Sequence, residues 1–213
     1  MKQFHSVLLT TCAVFLASCN SGGLRGNGNV VTEERSAMPF VNVEAEGAFQ
    51  IEWQPGAPAV AVTTDENLQR YVTTNISGGI LHLRTTRSLR PHVKVTIASS
   101  ALEGAELNGA SRLTARGLGG AKFYLESNGA AKIVADGAVD ELIATMNGAS
   151  NFEGEHLRAK TATLELNGAG KAVVAVSDSL DVSIAGAGKV EYIGNPARLR
   201  REVAGAGSIR RRE

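Results

Sequence analysis

Apolar and polar residues alternate on both sides of a four-residue motif that recurs through the second half of the chain. The sequence is mostly apolar at three residues and one residue before the motif, and again five residues after its first position. The residues at this last position are Leu113, Ile133, Phe152, Ala172, Val190 and Ile209. Alternation with a period of two residues is typical of strands that bury one face. The pattern therefore predicts short strands before and after each motif.

The motif is Asn-Gly-Ala followed by a small residue, and its last two copies are Ala-Gly-Ala-Gly. Its leading positions are Asn108, Gly109, Asn128, Gly129, Asn147, Gly148, Asn167 and Gly168, followed by Gly186 and Gly205 in the variant copies. Successive glycines are separated by 20, 19, 20, 18 and 19 residues. Glycine accepts a positive φ at no steric cost, and Asn tolerates the left-handed region better than most residues. Each motif is therefore predicted to form a sharp structural corner.

A regular spacing of this kind indicates a repeat architecture. A glycine in the centre of each unit disfavours a helical repeat. A unit of 19–20 residues suits one coil of a parallel β-helix, in which successive coils stack ~4.8 Å apart. We therefore predict an all-β, right-handed parallel β-helix, in which the stacked Asn side chains can hydrogen-bond from coil to coil.

The first half of the chain is also strand-like, but without the motif. Alternating segments occupy residues 40–43, 49–53, 60–62, 81–84 and 93–97. The pairs Pro55-Gly56 and Gly78-Gly79 predict turns between them. The only helix candidate is the short segment from Glu66 to Tyr71.

The N-terminal segment has the features of an export signal. A lysine at position 2 precedes an apolar run over residues 6–15, which is shorter than the ~20 residues needed to span a bilayer as a helix. The ending Leu16-Ala17-Ser18-Cys19 resembles the bacterial lipobox, which implies cleavage before Cys19 and acylation of its thiol and amine. An ordinary signal peptide with a chance cysteine is the alternative.

These features predict three regions: a lipoprotein signal peptide at 1–18, a lipidated Cys19 with a flexible tether over 19–37, and a folded domain over 38–213. Anchoring by two or more acyl chains is stable, whereas one chain anchors only marginally. Asn20 stands where Asp would be expected for retention in the inner membrane. By resemblance to the usual sorting rule, Asn20 favours a cell-envelope location at the outer membrane.

Charge and composition exclude some partners. The formal net charge is +1, so no global field would steer the chain to nucleic acid. Acids two residues before the corner and bases four residues after it could form a striped binding surface, although a solvated outer face is the simpler interpretation. The arginine-rich C-terminus, from Arg198 to Arg212, either caps the solenoid or contacts phosphate or carboxylate groups of the envelope.

The sequence offers no recognisable catalytic, cofactor-binding or metal-binding residues. His82, His92 and His156 lack the spacing of a zinc site, and there is no Gly-x-Ser-x-Gly motif. The pairs Asp136 and Asp140, and Asp178 and Asp181, are predicted to lie at turns that carry Gly or Ser, where Asp is favoured by turn hydrogen bonds alone. We therefore expect neither enzymatic activity nor a cofactor.

Several segments together resemble a known family. They are Gly-Asn-Gly-Asn-Val-Val-Thr-Glu-Glu-Arg at 26–35, Asp65-Glu66-Asn67-Leu68, Gly79-Ile80-Leu81-His82-Leu83, Val93-Lys94-Val95-Thr96-Ile97 and Leu107-Asn108-Gly109-Ala110. In this order they resemble the "putative auto-transporter adhesin, head GIN domain" family of bacterial cell-surface lipoproteins, over roughly residues 38–211. The resemblance implies a right-handed β-helix-like fold and supplies no catalytic motif.

The leading functional hypothesis is a non-enzymatic envelope lipoprotein that acts as a surface adhesion or binding module. Its partners would be the membrane, through the lipid anchor, and an unidentified protein or polysaccharide. A structural or signalling accessory of the envelope is the alternative, and a polysaccharide-acting enzyme is the third possibility. One Trp and three Tyr are few for a dedicated sugar-binding surface.

Overall fold

A computed structural model describes residues 23–90 and 92–212 of the chain. Strands dominate the described chain, which forms a β-solenoid of about five turns. The all-β solenoid predicted from the repeat is therefore confirmed. No helix in the described ranges is long and apolar enough to cross a membrane.

The first half contains short strands and one 3-10 helix, which occupies Glu66–Tyr71, the segment predicted as the helix candidate. The strands are β1 (Leu24–Arg25), β2 (Val30–Arg35), β3 (Asn42–Gly47), β4 (Phe49–Pro55), β5 (Ala59–Asp65), β6 (Val72–Ser77), β7 (Ile80–Thr85), β8 (Leu89–Arg90), β9 (Val93–Ser99) and β10 (Gly104–Gly109). Most of them are about as long as a typical strand of five to six residues.

The second half is built from long, bent strands that each run from one corner to the next. They are β11 (Arg112–Gly129), β12 (Lys132–Gly148), β13 (Asn151–Gly168) and β14 (Lys171–Gly186). Shorter strands complete the last turns: β15 (Lys189–Ile193), β16 (Arg198–Gly205) and β17 (Ser208–Arg211). Each long strand lines one wall after its first corner, bends, and lines the opposite wall before the next corner.

Parallel pairing stacks equivalent positions of the repeat on one another. Asn128 pairs with Asn108 on one side and with Asn147 on the other. Residues five positions past the corner pair in the same way and form a continuous inward row: Ile51, Leu113, Ile133, Phe152, Ala172, Val190 and Ile209. All of these are buried except Ile209, which is partly buried against the core. Ala172 occupies the place between Phe152 and Val190, as the sequence predicted.

Antiparallel strands close the N-terminal end of the solenoid. Strand β2 pairs with β5, β5 with β9, and β6 with β7, all antiparallel. The 3-10 helix packs beside them with Leu68 fully buried. This end therefore covers the apolar core and leaves β2 and β6 as edges.

The described part of the expected tether is folded. Strand β1 pairs with β8, and β2 pairs with β5 along its whole length, so the expectation of a flexible tether over 19–37 is wrong for these residues. Between the two strands, the amides of Asn27 and Gly28 donate to the side chains of Asn67 (3.0 Å) and Asp65 (2.5 Å). The Gly- and Asn-rich composition that indicated flexibility instead supports a tight, hydrogen-bonded turn. The predicted signal peptide at 1–18 and the predicted lipidated Cys19 lie outside the described residues.

The C-terminal end is different, because its last coil leaves inward-facing side chains uncovered. Leu199, Arg201 and Val203 of β16 are in register with the buried Leu180, Val182 and Ile184 of β14. Leu199 is nevertheless 37% exposed and Val203 42% exposed. Within the described residues, β16 pairs only with β14 and β17 only with β15.

Candidate functional site

Corner glycines bring the outer surface of successive coils into regular order. Gly109, Gly129, Gly148, Gly168, Gly186 and Gly205 all have a positive φ, between 110° and 139°. A Cβ on Gly148 would also collide with the carbonyl oxygen of Gly129 in the preceding coil. At the first five of these corners the amide after the glycine donates to the glycine carbonyl of the preceding coil, as Ala149 does to Gly129 at 2.8 Å.

Asn side chains form a hydrogen-bonded ladder along this corner. The Nδ2 of Asn128 donates to Oδ1 of Asn108 (2.9 Å), Asn147 donates to Asn128 (2.8 Å), and Asn167 donates to Asn147 (3.0 Å). The ladder starts at Asn108, which is in register with Glu46 of β3, and it stops at Asn167, which is in register with Ala185.

Carboxylates line the ladder on one side. Glu106, Glu126 and Glu165 each accept a hydrogen bond from the Asn two residues further on, at 2.8–3.1 Å. Their neighbours along the strand are buried, so the carboxylates project outward, as the sequence predicted. We call the surface formed by these acids, the four ladder Asn residues and Tyr124 the ladder face.

Tyr124 gives the ladder face its one large exposed apolar group among the described residues. Its hydroxyl donates to Oε2 of Glu126 at 2.6 Å, and 38% of the residue is exposed. The hydrogen bond to Glu126, together with burial and nearby negative charge, raises the pKa of Tyr124 to about 12. The same bond, with that from Asn128, lowers the pKa of Glu126 below its ordinary value.

Buried serines at the corners are a feature that the sequence analysis did not single out. Ser111 accepts from the amide of Phe49 (3.1 Å) and donates to the carbonyl of Gly47 (3.0 Å). Ser127 and Ser150 bond each other inside the solenoid at 2.5 Å. The signal in the sequence was Ser127, which is the one polar residue at the position directly before the motif, where the other copies have an apolar residue.

The lysines after the corner pair with acids that the sequence analysis did not associate with them. Lys132 contacts Glu153 of the next coil at 2.7 Å, and Lys189 contacts Glu191 two residues further along its own strand at 2.7 Å. The acids before the corner bond the Asn ladder instead. The two stripes therefore belong to different walls, and much of the charge on the second wall is neutralised locally.

The Asp residues considered for catalysis have protein partners. Asp136 accepts from the amide of Gly117 at 2.6 Å, and Asp140 pairs with Lys160 at 2.7 Å. Asp178 accepts from the hydroxyl of Ser177 at 2.5 Å, and Asp181 lies 3.8 Å from Arg200. In residues 23–90 and 92–212, no three His, Cys, Asp or Glu side chains are grouped so that they could hold a metal ion.

A groove of about 720 Å³ crosses the coils on the side away from the Asn corner. It is lined mainly by small apolar residues of β12 to β15, with charged groups at its rim. The groove arises where coils of unequal length stack. Gly154 pairs with Val174, but the next pair is Arg158 with Ala175, so residues 155–157 have no partner in β14. Strand β13 therefore overhangs the shorter coil next to it.

The family model described as "Putative auto-transporter adhesin, head GIN domain" matches residues 39–196. The chain belongs to this family. No curated protein matches the chain.

Two solved structures share the architecture of this head GIN domain. One is a putative adhesin from Bacteroides fragilis, with a TM-score of 0.73, 18% identity, and coverage of 89% of this chain and 100% of the other. The second is a putative adhesin from Parabacteroides merdae, with a TM-score of 0.52, 18% identity, and coverage of 89% and 99%. At this identity the likeness concerns the fold. The matched span of the head GIN family includes the ladder face and the groove, whereas β16 and β17 lie beyond it.

Proposed function

We propose that this head GIN domain protein is a non-enzymatic binding module of the cell envelope. In this proposal a lipid on Cys19 anchors it, at the outer membrane, and the solenoid engages an extended protein or polysaccharide ligand as an adhesin. The adhesin description of the family and of two structural relatives supports a binding role at the cell surface.

The ladder face is the observation that carries the proposal. Its amides, carboxylates and phenol are held by hydrogen bonds to one another. The Asn amides recur on four successive coils, about 4.8 Å apart, and carboxylates accompany three of them. A surface that is already ordered loses little conformational entropy when it binds. A repeating row of polar groups beside one exposed aromatic suits a ligand that is itself extended and repetitive.

Binding is tested with the full chain carrying Cys19→Ser, on a printed array of glycans and extracellular-matrix proteins. Tyr124→Ala should weaken retention about tenfold or more, because exposed aromatic residues dominate binding interfaces. Arg112→Ala, which changes an exposed residue on the opposite wall, should leave retention unchanged. Equal retention by both variants would contradict a role for the ladder face. Turnover of an arrayed polysaccharide would favour the enzyme alternative, and binding to no arrayed ligand would favour the accessory role.

Anchoring is tested separately from binding. Cys19→Ser should abolish incorporation of a fatty-acid probe and release the protein to a soluble fraction, because the thiol is the proposed site of acylation. Ser18→Ala, which keeps a small residue before the cysteine, should preserve both labelling and membrane attachment. Persistent labelling of the Cys19→Ser protein would refute lipidation at this residue.

A further inference from the structure

The groove between β12 and β15 has an apolar floor. Val139, Ala159 and Val176 are in register on adjacent coils and are buried. The outward row beside them contains Ala138, Arg158, Ala175 and Ile193, again in register. The open, mostly apolar lining of a cleft of this size is typical of small-molecule sites, which span ~300–1,000 Å³.

A single unpaired cation stands over this apolar surface. Arg158 is exposed, and its guanidinium makes no hydrogen bond or ion pair with any described residue. The other charged residues that line the groove are in ion pairs: Lys160 with Asp140 at 2.7 Å, and Glu155 with Arg212 at 2.9 Å. Within the described residues, Arg158 therefore supplies the one charge of the lining that has no ion-pair partner.

The length of the groove limits the size of the ligand. Its outward row crosses four coils, which corresponds to three strand spacings or ~14 Å. A fully extended chain advances ~1.2 Å per bond, so the row accommodates roughly a dozen bonds. A tail whose carboxylate is held by Arg158, the second residue of the row, can lie along Ala175 and Ile193 for two strand spacings, or roughly eight bonds. Removal of apolar surface from water over this part of the tail is the main source of affinity for such a ligand.

We propose that the groove binds a single-chain carboxylate amphiphile, a medium-chain fatty acid. The planar guanidinium of Arg158 matches a carboxylate in bidentate geometry, while the alanine and valine side chains hold the tail. The inference goes beyond the proposed adhesin function. Because the groove lies away from the ladder face, failure of either proposal leaves the other standing.

Dodecanoate is the probe, titrated calorimetrically below its micelle concentration into the full chain carrying Cys19→Ser. This background removes any covalently attached acyl chain that could occupy the groove. We expect saturable binding of dodecanoate, weaker binding of dodecyltrimethylammonium, and none of acetate. Equal affinity for the anionic and cationic amphiphiles would overturn the assignment of a carboxylate ligand, as would the absence of dodecanoate binding.

Variants then locate the site. Arg158→Gln should weaken dodecanoate binding about tenfold, as expected for the loss of one charge-assisted pair, and should not weaken binding of the cationic amphiphile, because it removes a like charge. Arg112→Gln, an exposed arginine on another part of the solenoid, is the matched control and should bind normally. Equal binding by Arg158→Gln and the control would refute the role of Arg158.

A larger side chain should block the groove directly. Ala138→Phe fills the groove from an exposed position, and Ala175→Phe fills it from the next coil but one; either should abolish binding while the thermal unfolding curve stays cooperative. Undiminished binding by a folded blocking variant would place the ligand elsewhere and overturn the proposal. Binding only to anionic phospholipid vesicles, and not to monomeric dodecanoate, would also overturn it.

Discussion

Two separate physical requirements select glycine at the corners. Gly148 has a φ of 110°, which side chains rarely adopt. It also lies against the backbone of Gly129, so a Cβ would push the two coils apart. Gly120 has a similar φ of 116°, but nothing lies within 4 Å of its Cβ position. A comparison of Gly148 with Gly120 therefore distinguishes the effect of backbone strain from the effect of close contact between coils.

Gly148→Ala should therefore destabilise the solenoid more than Gly120→Ala. Strain at such a backbone position costs ~1–3 kcal/mol in both variants, and only Gly148→Ala adds the collision with Gly129. Gly148→Val should be more damaging still. Chemical denaturation of the three variants and the parent measures the free energies of unfolding. Equal losses for the two alanine variants would show that contact between coils does not constrain the corner.

The phenol of Tyr124 reports on the order of the ladder face. Its folded pKa of about 12 lies above the ordinary value of 10.0. The bond to Glu126 therefore stabilises the fold fully below about pH 10 and is lost as the pH rises through about 12. The pKa of Glu126, the other partner in this bond, is lowered. The contribution of its carboxylate to stability is therefore present above pH 4.5, the ordinary value, and is lost as the pH falls below that value.

We expect one tyrosine to ionise near pH 12 in an ultraviolet difference titration. Tyr124→Phe should remove that signal, and Glu126→Gln should move it toward 10 because the neutral amide no longer opposes formation of a phenolate. Far-ultraviolet circular dichroism at each pH controls for unfolding. A signal near 10 in the parent that disappears in Tyr124→Phe would contradict the bond.

At the scale of elements, the Asn ladder ends where the repeat changes its first residue. Asn167 donates to Asn147, and its own Oδ1 remains the acceptor at the end of the ladder. Ala185 of β14 occupies the next rung and is in register with Asn167 and with Ala204 of β16. An amide placed at Ala185 would find a partner, whereas one placed at Ala204 would face alanine.

Ala185→Asn should accordingly extend the ladder by one bond and raise the free energy of unfolding by ~0.5–1.5 kcal/mol, the usual net value of a hydrogen bond. Ala204→Asn is the matched control and should give no gain. The double variant should exceed the sum of the singles, because only then does residue 204 have a partner. A neutral Ala185→Asn would mean that the Asn side chains are aligned without contributing to stability.

The corners and the inward row were predictable because each copy of the repeat encodes them locally. An apolar residue stands at position 133 and again at 152, and parallel stacking places equivalent positions together. The spacing of 20 residues before Gly168 and 18 before Gly186 predicts that the two coils differ in length. It does not predict on which wall of the solenoid the extra residues lie. That depends on which backbone groups pair across coils, and the groove was missed for this reason.

The antiparallel closure was harder to predict than the coils. Strands β2 and β5 are separated by a turn, β3 and β4, and the local composition of residues 26–29 indicates flexibility. Their order depends on the partners Asp65 and Asn67, which are distant in sequence. The same limit applies to Lys132, whose acid Glu153 lies on the next coil. Pairings between residues this far apart produce no periodic pattern in the sequence from which they could be predicted.

At the scale of the whole molecule, the two ends of the solenoid differ in how they cover the core. A solenoid behaves as a stack in which each coil is stabilised mainly by its neighbours. The antiparallel strands and the buried Leu68 cover one end, whereas Leu199 and Val203 leave the other open in the described residues. Local unfolding of the solenoid should therefore begin at β16 and β17 and proceed toward β13.

Hydrogen exchange and one pair of truncations test this order. Amides of β16 and β17 should exchange well before those of β12 and β13, because local opening of a terminal coil exposes little further apolar surface. Leu180→Ala should cost ~2–5 kcal/mol as a buried leucine truncation. Leu199→Ala, its in-register neighbour on the last coil, is 37% exposed and should cost clearly less. Equal losses from the two truncations, or slow exchange in β16, would mean that this end of the solenoid is covered in solution.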